Sequence, residues 1–123
     1  MILGIGTDIA KVSRFEKWIS EPEMIERFFN PLEIKSKGCE SSLCQHYAAR
    51  FAAKEAFSKA LGTGITGFSL QDVFVQNDNN GKPFLVVQNK ALEILNKKFG
   101  ECNIHISLSH EKEFAIAFVV IES

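Results

Sequence analysis

The sequence is short of the features that would place it in several large functional classes. It has no basic excess: 14 Lys and Arg stand against 15 Asp and Glu, a formal net charge of −1, whereas a nucleic-acid footprint shows as a strong basic excess or stripe. Any phosphate site must therefore be local. It has only three cysteines, Cys39, Cys44 and Cys102, an odd number, and the first two lack the spacing of a zinc knuckle or a redox Cys-x-x-Cys pair. Reduced thiols are expected. The N-terminus lacks a basic segment followed by a long apolar stretch, and no apolar run nears membrane-spanning length. The expectation is a soluble cytoplasmic protein with neither membrane nor nucleic-acid partners. Its glycine motifs are incomplete: Gly4-x-Gly6 lacks the third glycine of a dinucleotide fingerprint, and Gly62-Thr-Gly-Ile-Thr-Gly67 lacks the Lys-Ser/Thr of a P-loop. Repeats, low-complexity tracts and linkers are also missing.

What is present is apolar and periodic. Hydrophobic residues make up 46% of the 123, with eleven Phe among them, enough for one domain spanning residues 1–123 to build a core without staples. The chain is organised around Arg50-Phe-Ala-Ala-Lys-Glu-Ala-Phe-Ser-Lys-Ala-Leu-Gly62. At 100° per residue, alanines 48, 49, 52, 53, 56 and 60 form a broad smooth face, and Phe51, Phe57 and Leu61 cover much of the rest. The spacing predicts a long helix, capped by Ser41 or Ser42 and ended by Gly62, and buried on most sides. Yet it carries Arg50 and Lys54 on one strip and Glu55 and Lys59 on another. Such a helix seldom keeps four charges without partners or a task.

Around this helix the pattern is α+β. Residues 2–9 read as a strand with Leu3, Ile5 and Ile9 on one face and Gly4, Gly6 and Asp8 on the other, where missing side chains admit a close neighbour. Ser13 and Glu16 have capping-box spacing, predicting a helix over Arg14–Ser20 with Phe15 and Ile19 inward and Arg14 and Trp18 on a neighbouring face. Pro22 and Asn30-Pro31 start two more short helices, the second with Glu33 in a capping position and a stop at Gly38. Leu70–Gln76 and Phe84–Val87 read as a hairpin across Asn77–Pro83, and Asn89–Phe99 as an amphipathic helix. Residues 104–109 alternate, with His105, Ser107 and Ser109 opposite Ile104, Ile106 and Leu108, and His110 follows at the turn. Phe114–Ile121 is apolar on both faces, as a central strand would be. Taken singly, the candidates have ordinary readings: Glu55 and Lys59 as a solvated pair, Asp8 as a strand-end turn residue, Ser107, Ser109 and His110 as an exposed face and turn.

Together they point elsewhere. Asp8 and Glu55 lie on elements whose small residues allow close packing, and an oxygen-only pair without His or Cys suits Mg²⁺. Two carboxylates leave most of an octahedral shell to water and phosphate, and Lys59, Lys54, Arg50 and His110 supply cations for a phosphorylated substrate. Five ordered segments, Gly6-Thr-Asp8-Ile with Arg14, Arg50 to Gly64, Asn80-Gly-Lys-Pro83 and Ile106-Ser-Leu-Ser-His110 among them, resemble the holo-acyl-carrier-protein synthases, a branch of the 4′-phosphopantetheinyl transferases.

The resemblance implies a homotrimer of α+β subunits, an antiparallel sheet packed on the long helix with short N-terminal helices. It also implies transfer of phosphopantetheine from coenzyme A to a serine of acyl carrier protein, serving fatty acid biosynthesis. It places Mg²⁺ on Asp8 and Glu55, the diphosphate near Lys59 and Gly62, and the 3′-phosphate end near Arg50 and His110. Lys54 and Ser109 join the coenzyme-contacting set, and Glu55 and Lys59 carry the catalysis. Asn80, Gly81 and Pro83 match a loop that borders the adenine from an adjacent subunit, so that one subunit's loop is expected beside another's Arg50 and His110. Arg14, Trp18, Arg27 and Phe28 fall where the carrier docks. The chain departs from the pattern after Glu33, where Ile34 and Lys35 stand in place of a carboxylate that could deprotonate the serine. Glu33 then reads as structural, and the base as Glu55 or a water on the metal. The alternative from another class is a non-catalytic module holding coenzyme A or a nucleotide at an oligomer interface.

Overall fold

A computed structural model describes residues 1–123. The chain runs through β1 (Ile2–Lys11), a 3₁₀ turn (Val12–Phe15) continued by one turn of helix, α1 (Glu16–Ile19), then α2 (Pro22–Phe28) and a 3₁₀ turn (Pro31–Glu33). The long helix α3 (Glu40–Leu61) follows, then β2 (Val73–Asn77), β3 (Pro83–Val87), α4 (Asn89–Phe99), β4 (Asn103–His110) and β5 (Phe114–Glu122). β1, β5 and β4 form a three-stranded antiparallel sheet in that order, and β2 and β3 a separate hairpin. The apolar strand is indeed the central one.

One face of the sheet lies on α3. Ala115, Ala117, Val119 and Ile121 of β5 are buried in one core with the alanines of the helix and with its Phe51, Phe57 and Leu61. On β1 the contact is backbone to backbone. A Cβ built on Gly4 would lie 2.0 Å from the Ala60 carbonyl oxygen, and one on Gly6 1.9 Å from that of Ala56. No side chain fits there, so alanine at either position would push β1 off the helix. Gly62 ends α3 at φ +83°, its N–H donating to Ser58 O at 3.0 Å, the left-handed conformation that glycine adopts without penalty.

The N-terminal third differs from expectation in its details. Ser13 does not cap a helix: it lies inside a 3₁₀ turn, with its carbonyl accepting the Glu16 N–H. Three residues per turn in place of 3.6 rotate the side chains that follow. Phe15 and Trp18 are therefore both buried, with rings 4.8 Å apart, and Ile19 is only half-buried. The predicted helix after Asn30 shrinks to one 3₁₀ turn, though its capping box forms: Asn30 Oδ1 accepts from Leu32 N, and the Asn30 N–H donates to Glu33 Oε1. α3 starts at Glu40, with Cys39 rather than Ser41 or Ser42 at its N-cap.

Candidate active site

The glycine floor brings α3 so close to β1 that the last two turns of the helix overhang Asp8. Lys59 Nζ donates to Asp8 Oδ1 and to the Thr7 carbonyl, each at 3.0 Å. Glu55, one turn back on α3, feels both neighbours. Its carboxyl is pushed above the usual carboxylate range by burial first and by the Asp8 charge second, while Lys59 and Arg14 pull it down. Asp8, Glu55, Lys59 and Arg14 thus share one locus, reached from β1, α3 and the first 3₁₀ turn.

Asp8 and Glu55, the latter raised in proton affinity by burial first and by Asp8 second, offer carboxylate oxygens at one locus beside two cations. The donors are oxygens alone and the Lys59 side chain is more than half exposed. That chemistry fits a hard divalent cation with most of its shell left to water or phosphate oxygens. Gly62 and Lys59 lie at the C-terminal end of the helix. A further cation absent from the sequence reading stands there: Lys98 of α4 donates to the Leu61 carbonyl at 2.5 Å, capping α3 across 37 residues of chain. Its place in the last turn of an amphipathic helix was visible, but its partner was not.

Arg50 and His110 lie on the opposite flank. Together with Gly81 and Pro83 they line a cleft of about 350 Å³ whose other walls include Lys35, His46 and Asn77. The hairpin loop here belongs to the same chain as Arg50 and His110. Asp78 shapes this loop, its Oδ1 accepting from Asn80 N at 2.8 Å and Lys82 N at 2.9 Å. Gly81 faces the cleft, while Asn80 stays outside it. Asp8 on β1 and His110 on β4 are held apart by β5, so one chain presents two clusters on opposite edges of its sheet.

Three expected positions are corrected. Lys54 is fully buried, with Nζ donating to Glu33 Oε1 at 2.6 Å, Leu70 O at 2.9 Å and Val73 O at 2.7 Å. An ammonium with its three donors spent inside the protein has none for a ligand. Glu33 is structural, its Oε2 also accepting from Val75 N. Ser109 pairs with Ile116 on the outer sheet face, while His110 pairs with Ala115 on the helix face, so Ser109 does not share the cleft of its own chain. Trp18 is buried beneath Arg14 and beside Phe28, so its ring packs in the core and is closed to a partner. Arg14, stacked over Phe15, Trp18 and Phe51, and Arg27, over the half-buried Phe28, are exposed.

The model of the 4'-phosphopantetheinyl transferase superfamily matches residues 4–119. A holo-(acyl-carrier-protein) synthase of Treponema denticola is 51% identical over 127 residues, with 99% of each chain covered. The crystal structure of a holo-(acyl-carrier-protein) synthase from Bacillus anthracis in complex with CoA (3',5'-ADP) is 42% identical and superposes with a TM-score of 0.79, covering 100% of this chain and 98% of that one. An acyl carrier protein synthase of Plasmodium yoelii with ADP bound is 33% identical with a TM-score of 0.85, covering 100% and 97%. The chain belongs to the 4'-phosphopantetheinyl transferase superfamily and is, within it, an enzyme of the holo-(acyl-carrier-protein) synthase family.

Proposed function

We propose that the protein transfers the 4′-phosphopantetheine group of coenzyme A to a serine of apo-acyl carrier protein, releasing adenosine 3′,5′-bisphosphate, in the cytoplasm and in support of fatty acid biosynthesis. The observation that carries this reading is the meeting of Asp8, Glu55 and Lys59 above the glycine floor. Asp8 and Glu55 would hold Mg²⁺. Bound there, the ion supplies positive charge against the diphosphate of the coenzyme. Lys59 leaves Asp8 for the diphosphate oxygens and offsets the charge that builds on the leaving group as the carrier serine attacks the β-phosphorus in line. Arg50, His110 and Gly81 hold the nucleotide end, and Arg14, Arg27 and Phe28 meet the acidic carrier. Glu33, sealed beneath Lys54, takes no part in proton transfer.

Two clusters on opposite sheet edges favour a shared site, the β1 edge of one subunit completing the β4 edge of the next. The outer sheet face fits a homotrimer that closes in this way. Ile5 and Ile9 are 58% and 60% exposed, and Phe114, Ile116 and Phe118 lie uncovered beside them, an apolar patch that a lone domain seldom leaves to water. Replacing Phe118 by Asp is expected to dissociate the assembly and abolish transfer together, read by light scattering during size exclusion. A fully active species near 13.8 kDa would refute the shared site. The reaction itself is tested by mass spectrometry of apo-acyl carrier protein incubated with this protein, coenzyme A and Mg²⁺. The expected result is a carrier heavier by one phosphopantetheine, and an unmodified carrier would overturn the proposal.

A further inference from the structure

The nucleotide-end cleft is lined by the charged donors Lys35 and Arg50, which suit a phosphate. His46, one turn before Arg50 on α3, brings the opposite property. Its Nε2 lies 2.6 Å from the Glu33 carbonyl oxygen. A carbonyl only accepts, so Nε2 carries the ring proton, and in the neutral ring Nδ1 is left as a bare acceptor. Burial, with the Arg50 and Lys35 charges adding to it, lowers the pKa of the ring to about 4 despite that hydrogen bond, so the neutral tautomer holds at physiological pH. Nδ1 has no donor within the chain, and no buried polar side-chain atom is left without a partner. The acceptor is therefore open to solvent, on a residue that lines the cleft.

A phosphate has only acceptors to offer and does not pair with Nδ1; it belongs on Arg50. With the phosphate on Arg50, the preceding turn of α3, about 5.4 Å along the helix, lies within reach of the base. We infer that His46 is a specificity residue that accepts an N–H of the exocyclic amine of the coenzyme's adenine at Nδ1. The Tyr47 hydroxyl, paired with the N–H and carbonyl of Lys35 at 3.0 and 3.1 Å, fixes the segment on which the Glu33 carbonyl depends, so the tautomer is set by backbone. Bases with a keto oxygen at that position would meet a lone pair instead.

The inference rests on coenzyme A being the donor substrate, and the test separates the two. Transfer to apo-acyl carrier protein is measured with coenzyme A and with an analogue carrying unsubstituted purine in place of adenine. The wild type is expected to show a KM about tenfold higher for the analogue, the scale of one hydrogen bond, and His46→Phe to show equal KM values for both. Equal KM values in the wild type overturn the assignment while leaving the transfer reaction standing, as does a His46→Phe protein that still discriminates. No transfer from either coenzyme in the wild type overturns the reaction and the assignment together. Should His46→Phe fail to fold, the wild-type ratio decides alone.

Discussion

Helix α3 carries two lysine–carboxylate pairs five residues apart, and they have opposite properties. Lys54 and Glu33 are 2.6 Å apart with both side chains at zero exposure, and backbone groups of four other residues complete their hydrogen bonds. Lys59 and Asp8 are 3.0 Å apart with side chains 55% and 18% exposed. The first pair is sealed between α3, the Asn30–Glu33 turn and β2. Removing either partner leaves a charge in the core, which makes the pair a clamp rather than a site. The second pair is held loosely enough for a ligand to take over both members, and screening by water makes its own strength small. The same residue types on one helix do structural and chemical work according to what covers them.

Three losses would break this contrast at the Asp8 end. Glu55→Gln keeps the volume and removes a hard anionic ligand, so transfer is expected to fall by on the order of 10²–10³-fold or more. Thermal unfolding of the metal-free protein should not fall with it, because the substitution removes repulsion between two carboxylates. Near-normal turnover at saturating Mg²⁺ would sink the metal assignment. Asp8→Asn should match it, and the double variant should be little worse than either alone, since both disable one site.

At the other end the effect should appear in stability. Lys54→Met leaves the Glu33 carboxylate buried without its cation, at a cost of about 3–5 kcal/mol, measured by urea unfolding. Adding Glu33→Gln should recover part of the loss. If Lys54→Met instead folded normally and lost only coenzyme affinity, the lysine would belong with the site after all.

A smaller effect sits beside the clamp, at His46. Its ring is pulled from 6.5 to about 4 in the folded chain, so the unfolded chain binds more protons between those values. Stability is therefore present above pH 6.5 and is lost as the pH falls toward 4. The acid limb of a thermal-stability profile should be shallower in His46→Phe than in the wild type. Parallel limbs would show the ring to be solvated.

The sequence anticipated the scaffold better than the pairing. The bare face of Gly4 and Gly6, the αL stop at Gly62, the hairpin and the central β5 all follow from local chemistry that the residues state by themselves. Glu33 was legible as structural because its capping partner Asn30 is three residues away. Lys54 was not separable from Lys59, because what seals it is the carbonyls of Leu70 and Val73, contributed by chain 16 and 19 residues downstream. Trp18 was misplaced for a different reason: a 3₁₀ turn at its head shifts the helical phase, and with Lys11 rather than Ser13 at the N-cap the capping-box spacing misled. His46 gave no sign, since its tautomer depends on a backbone carbonyl 13 residues away.

Arg14 is where the contrast between sealed and open charge is least sharp. Its guanidinium stacks 5.0 Å from the centroid of Phe51 and over Phe15 and Trp18, which is a structural bond worth about 0.5–1 kcal/mol at an exposed position. It also lowers the proton affinity of Glu55, and it is exposed enough to meet an acidic partner. Each role predicts a different loss on Arg14→Ala. Stacking alone would lower the melting temperature and leave both KM values untouched. A role toward Glu55 would raise the Mg²⁺ requirement equally with either substrate varied. Docking of the carrier would raise the carrier KM, by about three- to tenfold, with little change for coenzyme A, and the wild-type carrier KM would rise with salt because the attraction is screened. The third outcome is expected. An exposed arginine parked on a rigid aromatic platform is already oriented, so a partner gains its charge without ordering a long side chain. A carrier KM indifferent to salt, or equal losses for both substrates, would return Arg14 to the sealed side of the comparison.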